Sequence, residues 1–180
     1  MIETLTIRSM AKAVYTTKNI GHYGLAFDHY SHFTSPIRRY PDLLVHRILK
    51  NYIKKEKSID ISSLEKLCKH SSDMEKMASS AERESIKFMQ TKYLKNKIGE
   101  SFSGVISGVT DWGFYVELDK NKCEGLVKIS TIKNDYFIYD EKTQSLIGKS
   151  SKKRYQLGQK VTIKISNADL EKKQLDFILS

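Results

Sequence analysis

At Gly99 the apolar pattern of this chain changes its period, and that change constrains the fold more than any other feature. Beyond it, apolar residues come in short runs separated by turn residues. Val161, Ile163 and Ile165 alternate with Thr162, Lys164 and Ser166, the period-two pattern of a strand with one buried face. Residues 101–109, 113–118, 125–129, 160–166 and 174–179 are strand candidates, and 169–173 reads as the connection of a hairpin. Five short strands in roughly eighty residues suit a small closed β-barrel. Residues 134–155 interrupt this pattern between the third and fourth strands. They predict a hairpin of 136–140 against 144–148.

Before Gly99 the pattern is helical. Ile2, Leu5, Met10, Ala13 and Val14 give a helical stripe, and Arg8 and Lys12 are like charges at i,i+4, unfavourable unless an anion lies nearby. Residues 16–21 are turn-like, and Gly21 and Gly24 flank His22-Tyr23 where the backbone must bend. Pro41 cannot donate to residue 37, so a helix there must kink or restart. Residues 42–53 read as a core helix with Leu44, Ile48 and Tyr52 on one face. Ser62-Ser63-Leu64-Glu65 fits a capping box, and Ser72-Asp73-Met74-Glu75 fits another, which predicts a break at 70–71. The second helix then runs to about residue 96 with Met74, Met77, Ala78, Ala81, Ser85, Phe88 and Met89 as its stripe. The expected class is α+β: a mainly helical segment over 1–98, then a five-stranded barrel over 99–180.

A formal net charge of +10 on 180 residues favours a polyanionic partner. No apolar run approaches the ~20 residues of a membrane span, and the first residues lack signal-peptide architecture. Cys68 and Cys123 are far apart and fit no metal spacing, so they read as reduced thiols of a cytoplasmic protein.

The densest chemistry lies between Gly21 and Arg47, where aromatics, histidines and arginines crowd among turn residues. Pro36 pushes Ser35 out of the α region, which makes Ser35 a natural N-cap and Pro36 a first helical residue. Free backbone donors would then lie beside Arg38 and Arg39, an arrangement that suits a phosphate. Adjacent helical residues point about 100° apart, so the two arginines would do different work. The alternative is an ordinary surface pair of Arg38 with Asp42 at i,i+4. His22, His29 and His32 match no standard zinc spacing, and no metal site is expected from them.

The stretch HFTSPIRRYPDLLVHR, preceded by IRSMAKAVYTTKNIGHYGLAF, resembles the C-terminal end of the catalytic domain of the RNase II/RNase R family. Its Arg-Arg-Tyr-Pro-Asp form is closer to the RNase R branch. GVISGVTDWGFYVEL followed by CEGLVKIS resembles an S1-type RNA-binding domain, an OB-fold, and the 134–155 insertion is again typical of that branch. The resemblance implies a processive 3′-to-5′ exoribonuclease that hydrolyses single-stranded RNA to nucleoside monophosphates. It implies Arg38 and Glu82 as catalytic, Arg39 at the RNA, Trp112 and Tyr115 as stacking platforms, and Lys128, Asp169 and Lys173 as polar contacts. Two of these depart from the usual pattern, since many S1-type domains carry histidine where Lys128 stands and arginine where Lys173 stands. Glu82 also has a bland reading, a pair with Lys87 or Arg83, though neither stands at i,i+4; Trp112 has one too, as a plug of the barrel. The implied cofactor is Mg²⁺, held by upstream aspartates. The acids here are scattered, and helical periodicity separates Glu75 and Glu82 from Asp73 and Glu84. The chain alone is therefore expected not to cut RNA, and its implied partners are single-stranded RNA and the upstream part of the catalytic domain. The rival expectation is a non-catalytic RNA-binding protein that kept the S1-type barrel.

Overall fold

The alternating run at 160–166 extends into a ten-residue strand, and four further strands close around it. The computed structural model describes residues 6–7, 9–57, 59–133 and 135–180. It divides into a compact unit of residues 9–81 and another built on residues 82–180. In the second, β1 (Ser101–Thr110), β2 (Gly113–Leu118), β3 (Glu124–Lys128), β7 (Lys160–Asp169) and β8 (Gln174–Leu179) form a closed barrel of order β1-β2-β3-β8-β7. The pair β3–β8 is parallel, and the other pairs are antiparallel. Register shifts at Ile106/Gly108 and Ile165/Asn167 supply the local bends that closure needs.

The barrel is filled by the inward residues of each strand. Ile106, Phe114, Val116, Leu118, Val127, Ile163, Ile165 and Phe177 are buried, and Leu94 joins them from the helix before the barrel. Two glycines are fixed by space. A Cβ on Gly125 would fall 2.5 Å from the Phe177 ring, and one on Gly113 would fall 2.2 Å from the Val127 carbonyl oxygen.

The insertion makes three strands rather than one hairpin: β4 (Phe137–Asp140), β5 (Ser145–Gly148) and β6 (Arg154–Gln156), in the order β4-β5-β6. The β4–β5 hairpin starts one residue later on each strand than its sequence suggests. The third strand was hidden because only Tyr155 of Arg154-Tyr155-Gln156 is apolar. Tyr155 is buried and stacks on Phe114 at 5.0 Å between centroids, which fastens this sheet to the barrel.

The helical part departs from its sequence reading at several points. The helix α1 (Tyr40–Ile53) starts at Tyr40, with Arg39 as its N-cap residue and Pro41 in the first turn, so of the two outcomes open at Pro41, a kink or a fresh start, the chain takes the fresh start. Ser35 therefore does not cap a helix: its carbonyl accepts Arg38 N–H (3.3 Å) and Arg39 N–H (3.0 Å) in a separate turn. Nor is α1 a core helix within this chain, since only Asp42 and Leu44 on it are buried and Tyr52 is 80% exposed. The helix α2 (Ile61–Lys95) runs through residues 70–71 without a break. Neither capping box forms. Asp60 caps α2 by accepting Ser63 N–H (2.9 Å), Glu65 turns away to Thr16 and Thr17, and Ser72 Oγ donates back to Cys68 O (3.0 Å) inside the helix. The Met74–Met89 stripe is largely exposed, with Met74, Met77, Phe88 and Met89 among the exposed apolar side chains. Of the expected N-terminal helix, residues 2–5 and 8 lie outside those described; residues 6, 7 and 9 are helical, and residues 11–14 are not. Among the described residues, no helix is long and apolar enough to cross a membrane.

Candidate nucleic-acid interface

The outward face of the barrel collects the residues read as RNA contacts. On β2 the alternation buries Phe114 and turns Tyr115 outward. Tyr115 lies opposite Leu126 on β3, and Leu126 lies opposite Asp176 on β8. Gly113 lies opposite Lys128. Trp112 stands in the β1–β2 turn, 56% exposed, with its carbonyl accepting Ile129 N–H at 3.0 Å. A side chain so exposed is no barrel plug; the space inside belongs to Phe114 and Phe177.

A groove of about 150 Å³ opens beside Tyr115, with Lys87, Gln90, Glu124, Lys173 and Asp176 on its walls. Both lysines named from the sequence are occupied by carboxylates. Lys128 Nζ lies 3.1 Å from Asp176 Oδ1, and Lys173 Nζ binds Glu84 Oε2. That contact holds the Glu84 carboxyl below its ordinary range. Sequence reasoning missed both partners. Glu84 and Lys173 are 89 positions apart, and no local pattern joins them. Asp176 was legible only as one more outward residue of β8. Asp169 forms the β7–β8 turn, its Oδ1 accepting Lys172 N–H at 3.0 Å. Lys173 in the same turn has a left-handed backbone, φ 53°.

In the unit of residues 9–81 the two adjacent arginines part. Asp42 is fully buried and accepts Ser35 N–H at 2.8 Å, while Arg39 Nη2 lies 3.1 Å from the same Oδ2. The alternative reading for Arg38, a pair with Asp42, is made instead by Arg39 at i,i+3. Arg38 is exposed, and its guanidinium makes no hydrogen bond or ion pair among the described residues. Asp42 Oδ1, Arg39 Nε and Ser71 Oγ are buried without partners among those residues. Behind this turn, Tyr15 ties the chain to α2: its N–H donates to Ser72 Oγ (2.9 Å) and its hydroxyl to Glu75 (2.7 Å). Burial, followed by that bond to a carboxylate, pushes the Tyr15 phenol up. Thr17 donates its N–H (2.7 Å) and hydroxyl (2.5 Å) to Glu65, which holds that carboxyl below its usual range. His22 and His32 flank Tyr30 edge-on, at 5.0 and 5.3 Å between centroids. His46 donates to Phe33 O at 2.7 Å. Glu82 is exposed on α2 and belongs to the other unit. Among the described residues, no three His, Cys, Asp or Glu side chains gather into a group able to hold a metal ion. The described residues offer no donor set that fits Mg²⁺.

With this geometry in place, the chain can be set beside known proteins. The model of the RNB domain matches residues 1–55, and that of the S1 RNA binding domain matches residues 95–180. Ribonuclease R of Aquifex aeolicus is 44% identical over 99% of this chain. The chain is similar to ribonuclease R over 99% of its length. The apo form of Mycoplasma genitalium RNase R superposes with a TM-score of 0.90 at 33% identity over 98% of the chain. The same enzyme in complex with ribose methylated single-stranded RNA gives the same TM-score and identity. The chain spans about a quarter of these proteins, 26% of the Aquifex enzyme and 28% of the Mycoplasma chain.

Proposed function

We propose that the chain is the C-terminal part of an RNase R-like 3′-to-5′ exoribonuclease that hydrolyses single-stranded RNA to nucleoside monophosphates. In this reading residues 1–98 end its RNB catalytic domain, and residues 99–180 are an S1-type OB-fold. The barrel order with its single parallel pair supports the OB-fold assignment. One observation carries the functional reading: an exposed Trp112 and an outward Tyr115 stand on the barrel face that bears Lys128 and Lys173. Such a face stacks bases on aromatics and follows phosphates with cations. The present lysine partners do not oppose this. Exposed ion pairs are screened by water and contribute little, so exchanging a carboxylate for a phosphate costs little.

Arg38 is the residue of this chain that reaches the scissile or a neighbouring phosphate, because its turn presents it free while Arg39 and Asp42 hold the turn. Arg39 lies next to the RNA path beside Arg38, its guanidinium held in the turn by Asp42, and Glu82 acts near the catalytic channel. Lys128, Asp169 and Lys173 make the polar contacts on the barrel. Mg²⁺ would activate water in the complete enzyme, and its carboxylate ligands belong to the rest of the catalytic domain. That rest would also cover the apolar surface of residues 9–81. The work is placed in the cytoplasm, in keeping with two free cysteines.

The test is a titration of labelled oligo(A) and oligo(U) from low to moderate salt. Affinity should fall along a straight line in log salt, by roughly 0.7 per phosphate neutralised, with little preference between the two sequences. Affinity independent of salt, or a preference for duplex DNA, rejects the reading.

A further inference from the structure

The three-stranded sheet carries a second cationic surface, at the turn of residues 149–153 between β5 and β6. The turn is organised around Asp135. Its carboxylate accepts Ser150 N–H (3.0 Å), Ser151 N–H (2.7 Å), Ser151 Oγ–H (2.5 Å) and Tyr136 N–H (2.7 Å). These donors hold the Asp135 carboxyl far below the usual carboxylate range. The fit leaves no room for a side chain at residue 148, where a Cβ would fall 2.3 Å from Asp135 Oδ2. The backbone of the turn is closed as well. Gly148 N–H donates to Lys153 O (2.8 Å), Lys152 N–H to Gly148 O (3.1 Å) and Lys149 N–H to Tyr136 O (2.8 Å).

What this framework displays is positive charge. Lys149, Lys152 and Lys153 form no ion pair among the described residues, in contrast to Lys128 and Lys173 on the barrel face. Lys153 lies over the Tyr155 ring, 5.2 Å from its centroid, and Tyr155 is the side chain that fastens the sheet to Phe114. Tyr136, 70% exposed, flanks the turn. An exposed aromatic ring beside unpaired cations is the pattern of single-strand binding, stacking for a base and charge for its phosphates.

We propose that Tyr136 with Lys149, Lys152 and Lys153 forms a second contact site for single-stranded RNA. It takes one stacked base and the neighbouring phosphates of nucleotides other than those held at Trp112 and Tyr115. The proposal rests on the RNA-binding reading of the barrel and adds to it. A strand long enough to reach both sites gains affinity from the second, and a short one does not.

The experiment measures anisotropy of labelled oligo(U) of about six and about twenty nucleotides with the whole chain, over a range of salt. The variant Lys149→Gln/Lys152→Gln/Lys153→Gln should weaken the longer oligonucleotide at least tenfold and change the shorter one less than twofold. Its salt slope on the longer strand should be shallower by about two, from three lost phosphate contacts. Tyr136→Ala should likewise weaken only the longer strand. The control Lys92→Gln/Lys120→Gln/Lys160→Gln removes the same charge elsewhere and should leave both affinities within about threefold. Should the triple variant lose its circular dichroism, the double variant Lys149→Gln/Lys153→Gln is judged by the same contrast between lengths. Tight binding of the longer strand by the folded variants overturns the second site and spares the barrel reading. An equal loss in the control overturns it too, because net charge alone would then explain binding. No binding of either oligonucleotide by the unaltered chain overturns the barrel reading itself.

Discussion

The two units of this chain spend their apolar residues in opposite ways. In the unit built on residues 82–180, sixteen apolar side chains are buried in one cluster, so the barrel holds itself together. Among the described residues of 9–81, Leu44 is the one buried apolar side chain, while Ile20, Tyr23, Ile37, Tyr52 and Ile53 stand in solvent. That unit is held instead by polar ties: Asp42 to Ser35 and Arg39, Glu65 to Thr16 and Thr17, Tyr15 to Ser72 and Glu75. Ties made at a solvent-accessible surface replace bonds to water and stabilise little net, whereas burying one large apolar side chain contributes about 1.5–3 kcal/mol. A region built that way keeps its shape when something else covers it. The contrast separates a unit with a core of its own from one that has few buried apolar side chains among its described residues.

The largest expected effect sharpens that contrast. Phe177→Ala should destabilise the barrel by about 3–5 kcal/mol, since it empties the centre of a closed core. Tyr52→Ser on α1 should cost the isolated chain less than about 0.5 kcal/mol, because an exposed side chain has little to lose. Chemical denaturation followed by tryptophan fluorescence and by hydrogen exchange measures both. A large cost at Tyr52 would mean that residues 9–81 have a core of their own.

Next comes the functional division. In the complete enzyme, Arg38→Ala should lower kcat by about 10²–10³ with little change in RNA affinity, as for loss of a preorganised donor to a reacting phosphate. Trp112→Ala should do the reverse, costing about 1–3 kcal/mol in single-strand binding with the fold kept by circular dichroism. Equal losses of kcat and affinity at Arg38 would make it a plain binding residue. An unchanged affinity in a folded Trp112→Ala protein would remove the stacking role.

The sequence carried the two regions with unequal clarity for the same reason. Period-two alternation is a local signal, and a closed barrel buries its inward residues almost without exception, so β1, β2 and β8 were legible to within a residue. The helical region offered capping boxes at Ser62 and Ser72 that local rules favour, and both were overridden by distant partners. Glu65 serves Thr16 and Thr17, and Ser72 serves Tyr15. The split between Arg38 and Arg39 was legible as a difference in direction, but not which of them meets Asp42. That depended on where α1 begins, and Ser35-Pro36 and Tyr40-Pro41 offer two candidate starts. The pairing of Lys173 with Glu84 had no local signal at all.

The smallest effect is a pH dependence of the polar ties. The Glu65 carboxyl is held below its ordinary value by Thr17, so the folded state favours its ionised form. Its contribution is present at neutral pH, above the unfolded value, and is lost as pH falls through the folded one. Hydrogen exchange at the Thr17 amide should therefore lose protection selectively under acid, before the barrel amides do, and Glu65→Gln should reduce that protection already at neutral pH. Protection at Thr17 that is the same at neutral and acid pH would show that the tie contributes nothing.

The central claim is that this chain binds single-stranded RNA with its barrel but holds only part of a catalytic site. The most direct measurement follows 5′-labelled poly(A) over time with the purified chain, with Mg²⁺ and in parallel with Mn²⁺, recording bound fraction and strand length in the same samples. The account predicts salt-sensitive binding with the strand undiminished in length under both metals. Release of mononucleotides from the 3′ end by the chain alone, abolished in Arg38→Ala, would contradict it and show a complete active site within these residues.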